Sequence, residues 1–188
     1  MVFDGILLAI IIGFIRGGNF TRFADLKFKM GWIFPFLLLI QIVIFSLQNK
    51  VNLIGKLSGA SFIVVYIIGL VFLWLNRHHS HFIIIFIGVL LNFLVMAVNG
   101  GRMPVSLEAA SMIDPYYLEA TKNALYAKHS IVSESTLLPY LGDIIPLSAP
   151  YPREQAISIG DVVMNIGVFL FIQSVMVHKK EKLLPTTY

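Results

Sequence analysis

Five apolar runs, at about 2–15, 31–47, 57–75, 82–98 and 157–177, carry only two charged residues between them, Asp4 and Asp161. A small soluble globule has no interior large enough to hide that much apolar side chain. A helix of about 20 apolar residues does cross the hydrocarbon of a bilayer, so runs of this kind read as membrane spans. The whole chain agrees: 57% of its 188 residues are hydrophobic and 13% charged, with a mean hydropathy of +0.83. The expected fold is all-α, a polytopic transmembrane helix bundle of five spans forming one integral membrane domain over residues 1–188.

The first run has no basic segment ahead of it and no small-residue cleavage site, and Arg16 follows it. It therefore reads as a retained helix and not as a signal peptide. The chain has no cysteine, which excludes disulfide frameworks and thiolate chemistry. Its net charge of +4 does not point to nucleic acid. Lys and Arg sit mostly beside the apolar runs, and no basic module interleaved with aromatics is present. Membrane lipids are the expected partners of those charges, each worth about 1 kcal/mol near an anionic leaflet.

Orientation follows from the same residues. The connection after the first run holds Arg16, Arg22, Lys27 and Lys29, that after the third holds Arg77 with His78, His79 and His81, and the tail holds Lys179, Lys180 and Lys182. These segments share one side, which the positive-inside rule makes cytoplasmic. The expectation is N-terminus outside and C-terminus inside, with one long extracytoplasmic loop over 99–156. Residues 19–29 interleave Phe20, Phe23 and Leu26 with basic residues, and Met30 follows, which fits a short helix in the inner headgroup layer or a plain basic connection. The clustered histidines read as a solvated turn, and no metal or cofactor is expected.

Candidate site residues gather in and beside the outer loop. The fourth run leaves through Asn99-Gly100-Gly101-Arg102-Met103-Pro104, where the glycines permit a turn and Pro104 stops the helix. Asp114-Pro115 opens an amphipathic helix with Tyr117, Leu118, Thr121 and Leu125 on one face. Residues 137–147 are too apolar for a solvated loop and too broken by Pro139, Gly142 and Pro146 for a span, so a re-entrant or interfacial segment is expected. Ser158-Ile159-Gly160-Asp161 is a capping box with Asp in place of Glu. Asn165 shares a helix face with Asp161. Asp143 and Asp161 are the candidate catalytic carboxylates, and Arg102, Asn99, Asn165 and Ser158 the candidate binding residues. Each has a plainer reading: Asp161 as a cap, Asp143 as a turn residue, Arg102 as a counter-ion to either, and Asn92 and Asn99 as interhelical hydrogen-bond glue. His129 stands alone in sequence.

The ordered set Asn99-Gly-Gly-Arg-Met-Pro104, Leu141-Gly-Asp-Ile-Ile-Pro146 and Ser158-Ile-Gly-Asp161, on a five-span chain, resembles a family of small bacterial integral membrane proteins of unknown function. That likeness implies the same fold and a multi-pass place in the bacterial plasma membrane. The last quarter also distantly resembles the lipoprotein signal peptidases, which are intramembrane aspartyl proteases. Asp143 would match their first catalytic Asp, and Asp161, followed by Val162, Val163 and Gly167, their second. Ser158 stands where those enzymes carry Asn, and this chain has an additional span.

Two functions are compatible with these residues. In the first, an outer-leaflet Asp/Arg pocket binds a lipid, peptide or small solute, or docks a membrane protein partner, without catalysis. In the second, Asp143 and Asp161 share one proton and hydrolyse a lipid-linked or membrane-embedded substrate, with Arg102 orienting an acidic headgroup.

Overall fold

The computed structural model describes residues 2–47, 51–113, 129–151 and 154–177. Helices form where the apolar runs lie: α1 (Val2–Ile15), α2 (Ile33–Leu47), α3 (Asn52–Leu75), α4 (Phe82–Val98) and, last in the chain, α6 (Ile159–Val177). Two of them, over Leu57–Leu75 and Ile159–Val177, are long and apolar enough to cross a membrane; the apolar stretches Gly5–Ile15, Ile33–Ile44 and Phe82–Val98 are shorter. A 3-10 helix, Phe20–Asp25, fills the basic connection after α1, with the Asn19 carboxamide accepting from the Thr21 amide at its start.

The helices alternate in direction. Gly5 lies against Asn165 and Gly13 against Met176, so α1 and α6 run parallel. Gly88 lies against Gly160 and Met164, and Gly167 against Ile85, so α4 and α6 run antiparallel. Gly59, near the start of α3, abuts Gly100 and Gly101 just beyond the end of α4. The Phe34 and Phe72 rings, 4.4 Å apart, place the start of α2 beside the end of α3. One end of the bundle therefore collects the starts of α1, α3 and α6. The opposite end collects Arg16, Arg22, Lys27, Lys29 and Arg77.

Helices α4 and α6 approach each other closely. A Cβ on Gly88 would stand 2.5 Å from the Met164 nitrogen and 2.7 Å from the Gly160 carbonyl. Only absent side chains allow two helix backbones to approach so nearly, the packing that small residues provide where the surroundings are apolar.

The all-α expectation needs one correction, because the fold is mostly helical but carries short strands. After Gly100 and Gly101, both at positive φ, the chain forms β1 (Met103–Val105) and then the short helix α5 (Leu107–Ile113). Strand β2 (His129–Ile131) pairs parallel with β1, and β3 (Ile145–Leu147) pairs antiparallel with β4 (Gln155–Ile157). Pro139, Gly142 and Pro146 prevent a helix, so residues 137–147 form a 3-10 turn, Pro139–Leu141, followed by β3. Leu138 and Leu141 pack on the core cluster of Phe62, Val95 and Met96. The expected amphipathic helix beginning at Asp114 falls outside the described residues. The described first turn after the β1 strand is instead α5, whose amide at Ala109 is capped by Ser106 Oγ at 3.1 Å.

Candidate functional site

Two polar centres form at the strand end. The first is the start of α6. The Asp161 amide donates to Ser158 Oγ at 2.9 Å, and the Ser158 amide donates to Asp161 Oδ2 at 3.2 Å, the reciprocal pair of a capping box. Asn92 of α4 completes it: its Nδ2 donates to Asp161 Oδ1 at 2.9 Å, while Ser158 Oγ donates to Asn92 Oδ1 at 2.8 Å. Both carboxylate oxygens of Asp161 are thus engaged, and its negative charge stands in the first helical turn, where the helix dipole favours it. Asn165 donates from Nδ2 to the Asp161 carbonyl at 2.8 Å.

The second centre is Asp143. Its amide donates to the Pro104 carbonyl at 2.8 Å and its carbonyl accepts from Ser106 at 3.2 Å, so the residue bridges Val105 and flanks β1. The side chain is buried, and His129 Nε2 stands 3.4 Å from Oδ2. The pairing of Met103 with His129 brings the imidazole there. Asp143 Oδ1 is buried with no hydrogen-bond partner among the described residues.

The remaining candidates separate from these centres. Asn99 donates to the Val95 and Leu137 carbonyls at 2.7 and 2.8 Å and accepts from the Leu137 amide at 3.0 Å, which pins the loop to the end of α4. Arg102, half-buried, makes no side-chain hydrogen bond or ion pair among the described residues. The structure therefore joins Asp161, Ser158 and Asn165 around Asn92, and sets Asp143 with His129. No hydrogen bond among the described residues links the two carboxylates. No group of three or more His, Asp or Glu side chains suited to a metal ion occurs among the described residues.

Sequence reasoning missed His129 as a partner, since its role depends on parallel pairing between strands far apart in the chain. It also missed Asn76, fully buried at the opposite end, which accepts from the Lys29 amide at 2.8 Å and donates to the Lys29 and Phe72 carbonyls at 3.0 and 2.9 Å.

The chain is similar to an uncharacterised protein of Thermotoga maritima, 29% identical over 171 residues that cover 91% of this chain and 89% of that protein. No solved structure matches it. Residues 25–173 match the family of unknown function DUF5317. Because that match spans most of the chain, including the α4–α6 seam, Asn92, Asp143 and the α6 cap, the protein belongs to DUF5317.

Proposed function

We propose that this chain is a multi-pass membrane protein, N-terminus outside and C-terminus inside, whose strand-bearing outer end binds a ligand or partner without catalysing a reaction. The alternating helices support the membrane placement, as do the apolar side chains they turn outward, including Ile15, Leu7 and Leu38 at 79%, 60% and 59% exposure. Soluble proteins rarely leave so wide an apolar surface in water. The basic residues at the other end support the orientation.

The binding reading is carried by one observation: the two aspartates have separate partners. A shared proton requires carboxylates that face each other, and Asp161 has both oxygens engaged by Asn92 and the Ser158 amide. What remains is a buried acceptor, Asp143 Oδ1, beside an imidazole. Such a pair suits a ligand that presents a hydrogen-bond donor, with Arg102 near the boundary for an acidic group.

Single Asp→Asn replacements test this in the native host. Binding by Asp143 predicts that Asp143→Asn impairs function per folded molecule, whereas Asp161→Asn lowers yield or stability and leaves function per folded molecule intact. Complete loss at normal yield for both variants would instead support the aspartyl hydrolase. Reporter fusions at Lys122 and Tyr188 should fall in different compartments; the same compartment for both overturns the topology.

A further inference from the structure

Two cavities adjoin at Phe171, the larger reaching from Phe23 and Phe28 at the basic end into the middle of the bundle at Ile6 and Met164. The larger, 430 Å³, is lined entirely by apolar residues, among them Phe23, Phe28, Phe34, Phe82, Phe171 and Gly69. Its volume falls within the ~300–1,000 Å³ of small-molecule sites, and a cavity with no polar lining does not hold water well. The smaller, 260 Å³, shares Phe171 as a wall and is lined by Arg22, His79, Ser80 and Ser174 together with the apolar Leu26 and Val175. The two meet at Phe171, with an apolar slot on one face and a niche bearing an arginine, an imidazole and two hydroxyls on the other.

The packing explains why the slot exists. Helix α1 packs on α6, and α2 packs on α3, but no extensive contact joins α1 to α2 or α3 among the described residues. The gap between these pairs is closed by the chain between them, through Phe23 and Phe28. A Cβ on Gly69 would meet nothing within 4 Å, so one wall of the slot is left bare. Charge at this end of the bundle is one-sided: its described connections carry Arg16, Arg22, Lys27, Lys29 and Arg77 against a single acid, Asp25, and Arg22 lines the smaller cavity. None of these cations forms an ion pair among the described residues.

We infer that this paired cavity binds an anionic phospholipid of the inner leaflet, with one acyl chain in the aromatic slot and the phosphate at Arg22, His79, Ser80 and Ser174. The inference rests on the membrane placement proposed above but not on the outer Asp143 site. Arg22 already donates to the Met176 carbonyl at 2.7 Å, which fixes its guanidinium at the end of α6 while leaving further N–H donors for a phosphate. The slot accounts for the chain, and the niche accounts for the sign of the headgroup.

The test uses the full chain purified in detergent and titrated with dioleoyl-phosphatidylglycerol or dioleoyl-phosphatidylcholine, with binding read by native mass spectrometry. Wild type should retain the phosphatidylglycerol at least about tenfold more tightly. Gly69→Phe fills the slot from its bare wall, and should weaken both lipids while leaving thermal unfolding unchanged. Ser80→Glu, at an exposed position, should weaken only the anionic lipid. Equal retention of the two lipids by wild type, or unchanged phosphatidylglycerol binding in a folded Gly69→Phe, overturns the site. Membrane fractionation of the expressed chain separates the two claims. A membrane-embedded chain lacking slot-dependent retention refutes the lipid site alone, and a chain recovered as soluble refutes the membrane placement and the lipid site together.

Discussion

Ser158 and Asp161 exchange hydrogen bonds across the first turn of α6, and Asn92 of α4 bonds to both side chains. A local cap thereby becomes a joint between two helices. The same atoms that satisfy the start of α6 also fix its register against α4, directly beside the close approach of Gly160 to Asn92.

Ser158→Ala should therefore be more damaging than loss of an ordinary cap. Removing an N-cap hydroxyl costs about 0.5–2 kcal/mol, and the buried Asn92 carbonyl oxygen left without its donor adds about 1–3 kcal/mol. Thermal unfolding in detergent, followed by circular dichroism, should show a clear loss. Ser158→Thr, which keeps the hydroxyl, should recover much of it.

Gly88→Ala should open the α4–α6 seam. Its new methyl would stand against the Met164 nitrogen and the Gly160 carbonyl, both backbone atoms that cannot rotate away. Overpacking of this kind costs about 1–3 kcal/mol. Gly69→Ala, in α3 where a Cβ meets nothing, is the control and should be neutral or slightly stabilising because alanine is the better helix former. Equal unfolding temperatures for Gly88→Ala and wild type would refute the tight seam.

These two sites differ in how far the sequence alone exposes them. The capping box is written in Ser158-x-x-Asp161, and the helices are written in the apolar runs, since burial in an apolar medium leaves a continuous signal. The strands are not legible. Each is three residues long and is defined by which backbone it meets, as when Met103 pairs with His129. Asp143 stands out as an acid after Gly142, but nothing nearby identifies an imidazole as its partner. Asn76 lies between Leu75 and Arg77 at a helix end, where an asparagine looks like a simple stop. Its hold on Lys29 depends on how the basic connection folds back.

Asn76→Ala should consequently loosen the basic end. The substitution removes three hydrogen bonds from a side chain with no exposed surface. It leaves the Lys29 amide and carbonyl without these partners, at a loss of at least about 2 kcal/mol. Hydrogen exchange should rise over 26–30 more than in the strands at the other end. Uniform exchange across both ends would contradict a local clamp.

Acid should weaken the same end through His79. Burial holds its imidazole below the ordinary histidine value, the neighbouring His78 pushes the same way, and the hydrogen bond to the Lys27 carbonyl, at 3.2 Å, opposes them. The folded chain therefore binds a proton less readily than the unfolded chain. This contribution to stability is complete above pH ~6.5 and is lost as pH falls through the lowered folded-state value. Unfolding temperature measured from pH 7.5 to 5 should decline, and His79→Gln should flatten that decline. The same slope in the variant would assign the acid sensitivity to another group.

Two side chains compete as the partner of Asp143, and a double-mutant cycle distinguishes them. His129 Nε2 stands 3.4 Å from Oδ2, whereas Arg102 makes no ion pair among the described residues. Residues in contact couple by about 0.5–3 kcal/mol, while independent residues add within about 0.5 kcal/mol. Asp143→Asn combined with His129→Gln should therefore destabilise less than the two single changes together, because removing either partner already breaks the pair. Asp143→Asn combined with Arg102→Gln should be additive. The reverse pattern would make Arg102 the partner, leaving the imidazole as packing beside β1 and removing the His129–Asp143 contact on which the proposed binding site rests.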